Sequence, residues 1–261
     1  IGQRVVLFRG AGGGDSPHDA AVITVAPNCT AVRAEPATVG GGWVSTALLS
    51  DDGDSAKLAA LNSTGLYTIT LALNLGGGKA SVAAVPVKVP PAGCAWLSVA
   101  SSSQAPNNLL LARQCPSTAL PNLFEVGPGG AVVNTLRVYS GNYSDWVGMA
   151  VADVEGSGGE HILLARAGGG GSDPRLAIVD RMTNGSLILT TLADMDGSAQ
   201  RWVGFGAAQW LPATSGASDS QLVGLRRFDP KLSGTQQAVN LLVFGSSARA
   251  LPRQAAMAGT R

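Results

Sequence analysis

Short apolar segments recur along the chain and are separated by stretches rich in Gly, Ser and Asp. Four of them begin at a tryptophan and have the sequences WVSTALLS, WLSVASSS, WVGMAVAD and WVGFGAAQ. In each segment the residues two and four places after the tryptophan are small, and a period of two places them on one face of a β-strand. Because small side chains are needed where strands converge, these segments are predicted to be the innermost strands of a repeated sheet.

The tryptophans that open these segments are Trp43, Trp96, Trp146 and Trp202, at spacings of 53, 50 and 56 residues. After each first strand, a turn leads to an apolar second strand, in order KLAALN, NLLLAR, HILLAR and QLVGLR. A third strand and a weaker fourth strand follow. Four short strands in a unit of about 50 residues are typical of a propeller blade.

The repeats predict an all-β fold, a β-propeller of four-stranded blades. Residues 1–42 supply the second and third strands of a unit without the first, and full units cover 43–95, 96–145, 146–201 and 202–253. We expect five blades, with residues 254–261 as a closing strand beside the partial unit, so that the ring has no open edge. The alternatives are a fragment of a larger propeller and a non-propeller fold such as a sandwich.

The composition agrees with a turn-rich β protein, since 35 of the 261 residues are glycine and only 13% are charged. Lys and Arg together number 18 and Asp and Glu 17, so neither nucleic acid nor a basic membrane-binding surface is predicted as a partner. Apolar runs are too short for a membrane span. Because the chain begins at Ile1 without a signal peptide, we expect a mature or trimmed product.

Four N-glycosylation sequons predict a secreted glycoprotein, at a cell surface or in a cell wall. They begin at Asn28, Asn62, Asn142 and Asn184, each beside a predicted turn. The alternative is a protein that is not secreted and carries the sequons incidentally.

Two cysteines flank the first pair of strands in the second full unit. Facing residues of an antiparallel pair have a constant sum of residue numbers, so if Trp96 faces Arg113, then Cys94 faces Cys115. We predict a disulfide between these cysteines, as an oxidising compartment favours; two free buried thiols are the alternative. Cys29 is left over, and is either free or paired with a cysteine outside this chain.

A column of arginines ends the second strands: Arg9, Arg113, Arg166 and Arg226, with Asn62 in the remaining unit. An arginine opposite a tryptophan stacks on it for structural reasons, which is the favoured interpretation. The alternative is a ligand-binding ring of cations around one mouth of the propeller, suited to an anionic or sugar ligand. A glycan on Asn62 would crowd that mouth.

The stretch VADVEGSGGEHILLAR resembles the FG-GAP/VCBS class of propeller repeats, whose acidic hairpin turn can hold calcium between the first two strands of a blade. The resemblance implies oxygen ligands at alternate positions, which here are Asp153, Glu155 and Ser157. His161 stands where the class has a closing carboxylate, although Glu160 is adjacent. We expect a protein without a cofactor, in which this turn is architectural, and calcium bound by the turn is the alternative.

Patterns for catalysis are sparse. Asp145 and Asp153 lie at opposite ends of one predicted strand, more than about 20 Å apart, whereas a glycosidase needs two carboxyls across one sugar. We therefore predict a non-catalytic extracellular binding or scaffold propeller whose partner is a glycan or an extracellular protein, with self-association as a further option. The alternative function is a sugar-active enzyme, a glycoside hydrolase, or its accessory domain.

Overall fold

A computed structural model of the chain describes residues 3–8, 20–25, 31–40, 42–72, 80–88, 93–139, 146–153, 159–166, 176–193, 200–208, 221–228 and 239–244. Two compact units are formed by these residues. Unit 1 comprises Ile1–Val89 with Pro128–Ala131, and unit 2 comprises Pro90–Gly127 with Val132–Arg261. Among the described residues, no helix is long and apolar enough to cross a membrane.

Unit 1 contains two antiparallel sheets. The first has three strands in chain order, β1 (Gln3–Phe8), β2 (Ala20–Val25) and β3 (Ala31–Ala37). The second has four, β4 (Ser45–Asp51), β5 (Ser55–Asn62), β6 (Gly65–Ala72) and β7 (Ala80–Val85). Its core is built by alternate residues of the two middle strands, among them Leu58, Ala60, Ile69 and Leu71, with Trp43 packed against them.

Unit 2 contains three antiparallel sheets. The first has the strands β8 (Ala95–Ser101), β9 (Leu109–Gln114), β10 (Leu123–Val126) and β11 (Val132–Leu136). The second has β12 (Trp146–Ala152), β13 (His161–Arg166), β14 (Leu176–Arg181) and β15 (Leu187–Ala193), and the third has β16 (Gln200–Ala208), β17 (Gln221–Phe228) and β18 (Val239–Phe244). Middle strands such as HILLAR are buried on both faces, which explains their nearly continuous apolar sequences.

The predicted fold class is confirmed: the described chain is built of consecutive antiparallel sheets, three of them with the four strands of a propeller blade. Each predicted second and third strand forms. The predicted closing strand, residues 254–261, lies outside the described residues. A ring of five blades therefore stays a prediction.

A β-bulge recurs directly after the tryptophan of three first strands. Trp96, Trp146 and Trp202 face Arg113, Arg166 and Arg226 as predicted, and the register then shifts by one residue. The fourth case differs. β4 begins at Ser45, so Trp43 precedes the strand that it was predicted to open, and the bulge lies further on, between Leu48 and Ser50.

The indole of Trp146 shows why a tryptophan suits the start of a first strand. Its Nε1 donates a hydrogen bond of 3.0 Å to the carbonyl oxygen of Val138, which also accepts from Asn122 Nδ2 at 2.7 Å. Val138 N in turn donates to Asn122 Oδ1 at 2.7 Å. These groups are buried, so the large apolar ring fills the core while its one polar atom is satisfied.

First strands of neighbouring sheets converge in unit 2, where β12 lies against both β8 and β16. A Cβ atom placed on Gly148 would come within 3.3 Å of Phe205 Cβ and within 3.4 Å of the Phe205 backbone. Small residues are therefore required at this point of β12, as the alternation of the sequence predicts.

The structure contains the Cys94–Cys115 disulfide, with Cα atoms 4.2 Å apart. The bond joins the residue before β8 to the residue after β9, next to the facing pair Ala95 and Gln114. Cys29, the third cysteine, lies outside the described residues.

A pair of adjacent glycines in unit 1 allows a matched test of packing. Gly129 and Gly130 both have positive φ, 77° and 85°, but a Cβ on Gly130 would lie 2.3 Å from the Pro86 carbonyl oxygen, whereas one on Gly129 meets nothing within 4 Å. We expect Gly129→Ala to lower the free energy of unfolding by about 1 kcal/mol, the cost of a left-handed alanine. Gly130→Ala should lower it by at least about 2 kcal/mol more, because backbone must move.

Urea unfolding of both variants, followed by tryptophan fluorescence, measures this difference. Equal losses in the two variants would show that Pro86 does not constrain Gly130.

Candidate functional site

The turn between β12 and β13 carries the predicted calcium ligands. Asp153 follows the last residue of β12 and is half-buried. Glu155 and Ser157 lie outside the described residues, so their role as ligands stays a prediction. Within the described ranges, no group of three or more His, Cys, Asp and Glu side chains is arranged to hold a metal ion.

Glu160, at the end of this turn, binds a loop of the neighbouring sheet. Its carboxylate accepts hydrogen bonds from Ser102 Oγ at 2.7 Å, from Ser103 N at 2.9 Å and from Gln104 N at 3.3 Å. Burial alone would raise the pKa of Glu160, but the hydrogen bonds from Ser103 and Ser102 outweigh it and the pKa lies below its usual value. Glu160 therefore joins two neighbouring sheets of unit 2.

His161 opens β13 and faces Asp180 of β14 across the antiparallel pair. Its Nε2 lies 3.5 Å from Asp180 Oδ1, with the histidine side chain 12% exposed and the aspartate 34%. His161 Nδ1 is buried and has no hydrogen-bond partner within the described part of the chain. In the FG-GAP/VCBS class this position has a carboxylate that closes the calcium site. Here it is His161, which pairs with Asp180 of the same sheet.

A buried carboxylate ties the same two sheets at a second point. Glu125, in β10, is 0% exposed and accepts hydrogen bonds from Asn108 Nδ2 at 2.7 Å, Asn134 Nδ2 at 2.6 Å and Arg181 Nη1 at 2.9 Å. Arg181 and Asn134 also donate to the carbonyl oxygen of Gly185, at 3.3 Å and 3.0 Å. Burial would raise the pKa of Glu125, but the hydrogen bonds from Arg181, Asn108 and Asn134 and the charge of Arg181 hold it below its usual value.

The two arginines of the column whose side chains the structure describes are buried. Arg113 and Arg166 are only 4% and 3% exposed. Arg113 Nε donates to the Pro121 carbonyl oxygen at 3.1 Å, and its Cζ lies 4.6 Å from the centre of the Phe124 ring. Although Arg113 faces Trp96 in register, it therefore stacks on Phe124, which Trp96 meets edge-on at 6.3 Å.

Arg113 and Arg166 are thus buried, and the stacking of Arg113 expected on Trp96 is made on Phe124. Arg9 and the side chain of Arg226 lie outside the described residues, and a ligand-binding role for the column stays a prediction.

Two of the four sequons are described, and both form the same turn. Asn62 Oδ1 accepts from the backbone N and Oγ1 of Thr64, at 2.8 Å and 2.7 Å. Asn184 Oδ1 accepts from the backbone N and Oγ of Ser186, at 3.0 Å and 2.7 Å. These turns join β5 to β6 and β14 to β15, as predicted. Asn28 and Asn142 lie outside the described residues.

The chain matches no known protein-family profile and no curated protein, so membership of the FG-GAP/VCBS class stays a prediction. Solved structures with a similar fold include a protein of unknown function from Bacteroides caccae, at 15% identity and a TM-score of 0.44, covering 92% of this chain and 73% of that one. A GH43 protein, BlXynB from Bacillus licheniformis, has 10% identity and a TM-score of 0.48, covering 93% and 50%.

The NanB sialidase from Streptococcus pneumoniae has 13% identity and a TM-score of 0.45, covering 85% of this chain and 34% of the sialidase. The present chain thus spans half of the GH43 protein and a third of the sialidase. Similarity at this level gives no basis for transferring an activity.

The buried pair of Glu125 and Arg181 is predicted to behave as a unit. Arg181→Met should lower the free energy of unfolding by about 3 kcal/mol, because it leaves a buried carboxylate without its counter-charge. Adding Glu125→Gln to this variant should restore part of the loss, since the neutral amide leaves no uncompensated buried charge and its one oxygen still accepts one of the two asparagine hydrogen bonds. Urea unfolding at pH 7 measures both; losses that simply add would contradict the coupling.

Glu160 is predicted to make stability depend on pH. Because its pKa is lower in the folded than in the unfolded chain, its contribution is complete above about pH 5 and is lost as the pH falls below about 4. Glu160→Gln should therefore cost about 1 kcal/mol at pH 7 and progressively less toward pH 3.

Thermal unfolding between pH 3 and 7 measures this convergence. Ser102→Ala, which removes one donor to the same carboxylate, should reduce the dependence in part. A constant difference between wild type and Glu160→Gln would contradict the assignment.

Proposed function

We propose that the chain is a non-catalytic extracellular binding or scaffold module whose ligand is a glycan or a protein partner. The observation that carries the proposal is that two carboxylates of unit 2, Glu125 and Glu160, serve to join neighbouring sheets. Glu125 and Glu160 each accept three hydrogen bonds and join one sheet of unit 2 to the next.

A glycosidase requires a different state of its carboxyls. The general acid of such an enzyme has a raised pKa and stands beside the sugar, with its partner at a defined separation. The pKa values of Glu125 and Glu160 are both lowered, because each carboxylate is held in its ionised form by donors. Ionised carboxylates of this kind stabilise a rigid scaffold, and the loops of a rigid propeller scaffold are where ligands bind.

An extracellular location is supported by the disulfide and by the sequons. A disulfide such as Cys94–Cys115 persists in oxidising compartments. Asn62 and Asn184 occupy hairpin turns, and in each the amide oxygen is bonded to the hydroxyl residue of its own sequon. Within the described residues neither amide nitrogen, the atom that would carry a glycan, makes a hydrogen bond.

Calcium at the β12–β13 turn belongs to this proposal only through the resemblance of the sequence. Asp153 directly follows β12, whereas Glu160 is bound by the loop at Ser102. Asp153, Glu155 and Ser157 would be the side chains that hold the ion.

A glycan array probed with the secreted, disulfide-bonded chain tests the function, once with calcium and once with EDTA. Specific binding without hydrolysis of the bound glycan supports a binding module, and loss of binding in EDTA supports calcium in the site. If no glycan binds, crosslinking to proteins of the secreting cell's surface tests the protein partner. Turnover of reporter glycosides that survives further purification would overturn the proposal.

A further inference from the structure

The hairpin turn between β5 and β6 holds its sequon asparagine in one orientation. Asn62 ends β5, and its Oδ1 accepts hydrogen bonds from Thr64 N at 2.8 Å, Thr64 Oγ1 at 2.7 Å and Gly65 N at 3.1 Å. Three donors on one oxygen fix the amide plane. Among the described residues Nδ2 makes no hydrogen bond, so the atom that would carry a glycan has a set direction and is available.

Open space lies beside Asn62 at the turn end of the hairpin, on the face that further along β5 and β6 forms the core of unit 1. Asn62 faces Gly65 across the β5–β6 pair, and Ala60 faces Tyr67. Residues two apart on a strand share a face, so Asn62, Gly65 and Tyr67 lie on the same side of the hairpin. A Cβ on Gly65 would have no heavy atom within 4 Å. An open space therefore lies next to Asn62, and Tyr67 borders it as the diagonal neighbour.

Tyr67 is held in place before any ligand arrives. Its ring contacts Trp43 edge-to-face at 5.4 Å, and its hydroxyl lies 2.7 Å from Thr64 Oγ1. The side chain packs against the core of unit 1 but is only half-buried, so part of it remains accessible to solvent. A fixed, exposed aromatic surface binds the apolar C–H face of a sugar with little cost in conformational entropy.

We infer that Asn62 carries an N-linked glycan whose first sugar packs against Tyr67, so that the modification stabilises the β5–β6 hairpin. The inference rests on the proposed extracellular location. Asn184 provides an internal comparison, because its turn has the same hydrogen bonds from Ser186 but its sequence from Met182 to Leu187 contains no aromatic residue.

The test uses the full chain with one sequon at a time. One form carries Asn28→Gln, Asn142→Gln and Asn184→Gln, so that Asn62 is the one sequon left. The other form carries Asn28→Gln, Asn142→Gln and Asn62→Gln, so that Asn184 is the one sequon left. Each is made in a glycosylating secretory host and in the bacterial periplasm, which is oxidising but adds no N-glycan. Both are combined with Tyr67→Phe, which keeps the ring, and Tyr67→Leu, which removes it.

Peptide mass spectrometry gives the occupancy, and urea unfolding gives the effect of the glycan. With Tyr67 or Tyr67→Phe, the Asn62 glycan should lower the unfolding equilibrium constant about two- to tenfold, the size of an aromatic contact. With Tyr67→Leu this effect should be lost. The effect of a glycan on Asn184 should be the same with every residue at position 67.

A direct contact has its own readout, which does not depend on stability. The N-acetyl methyl resonance of the first sugar should be shifted upfield by the Tyr67 ring and should return to its free position in Tyr67→Leu. An unmodified Asn62 beside a modified Asn184, or a glycan effect indifferent to Tyr67→Leu, overturns the inference alone. Absence of glycan from both asparagines overturns the inference and contradicts the extracellular location as well.

Discussion

First strands of neighbouring sheets in unit 2 approach so closely that a single Cβ on Gly148 would meet Phe205 at 3.3 Å. This close approach restricts position 148, because a side chain there would meet Phe205 where β12 lies between β8 and β16. A carboxylate or an arginine has no room there. The charged groups that join neighbouring sheets of unit 2, Glu125, Arg181 and Glu160, lie in two middle strands and in a turn.

The two ties between sheets differ in kind. Glu125 and Arg181 form a buried ion pair supported by two asparagines, and such a pair contributes little net stability but penalises any arrangement that separates its members. Glu160 reaches a loop at Ser102 and binds it mainly through neutral donors. Together they determine which surfaces of the two sheets meet, while the apolar contacts around Leu110 and Leu164 supply the larger part of the attraction.

The repeated units could be predicted from the sequence because their determinants are local. Tryptophan spacing located the first strands, and a single register assumption at Trp96 and Arg113 placed Cys94 opposite Cys115, as the structure has it. The tie at Glu125 could not be predicted, because its strand is otherwise apolar and Arg181 is 56 residues away. A glutamate between apolar neighbours in LFEV was the one available sign of a buried partner.

The bulges after the tryptophans allow the first strands of the repeated units to differ in length. A bulge takes up one extra residue without turning the rest of its strand to the other face. In β4 the bulge has moved to Leu48 and Ser50, and Trp43 lies before the strand. Blades can thus gain or lose single residues and still pack. Their corresponding residues then no longer align in sequence. Blades that drift in this way keep their architecture long after a position-by-position comparison ceases to recognise them.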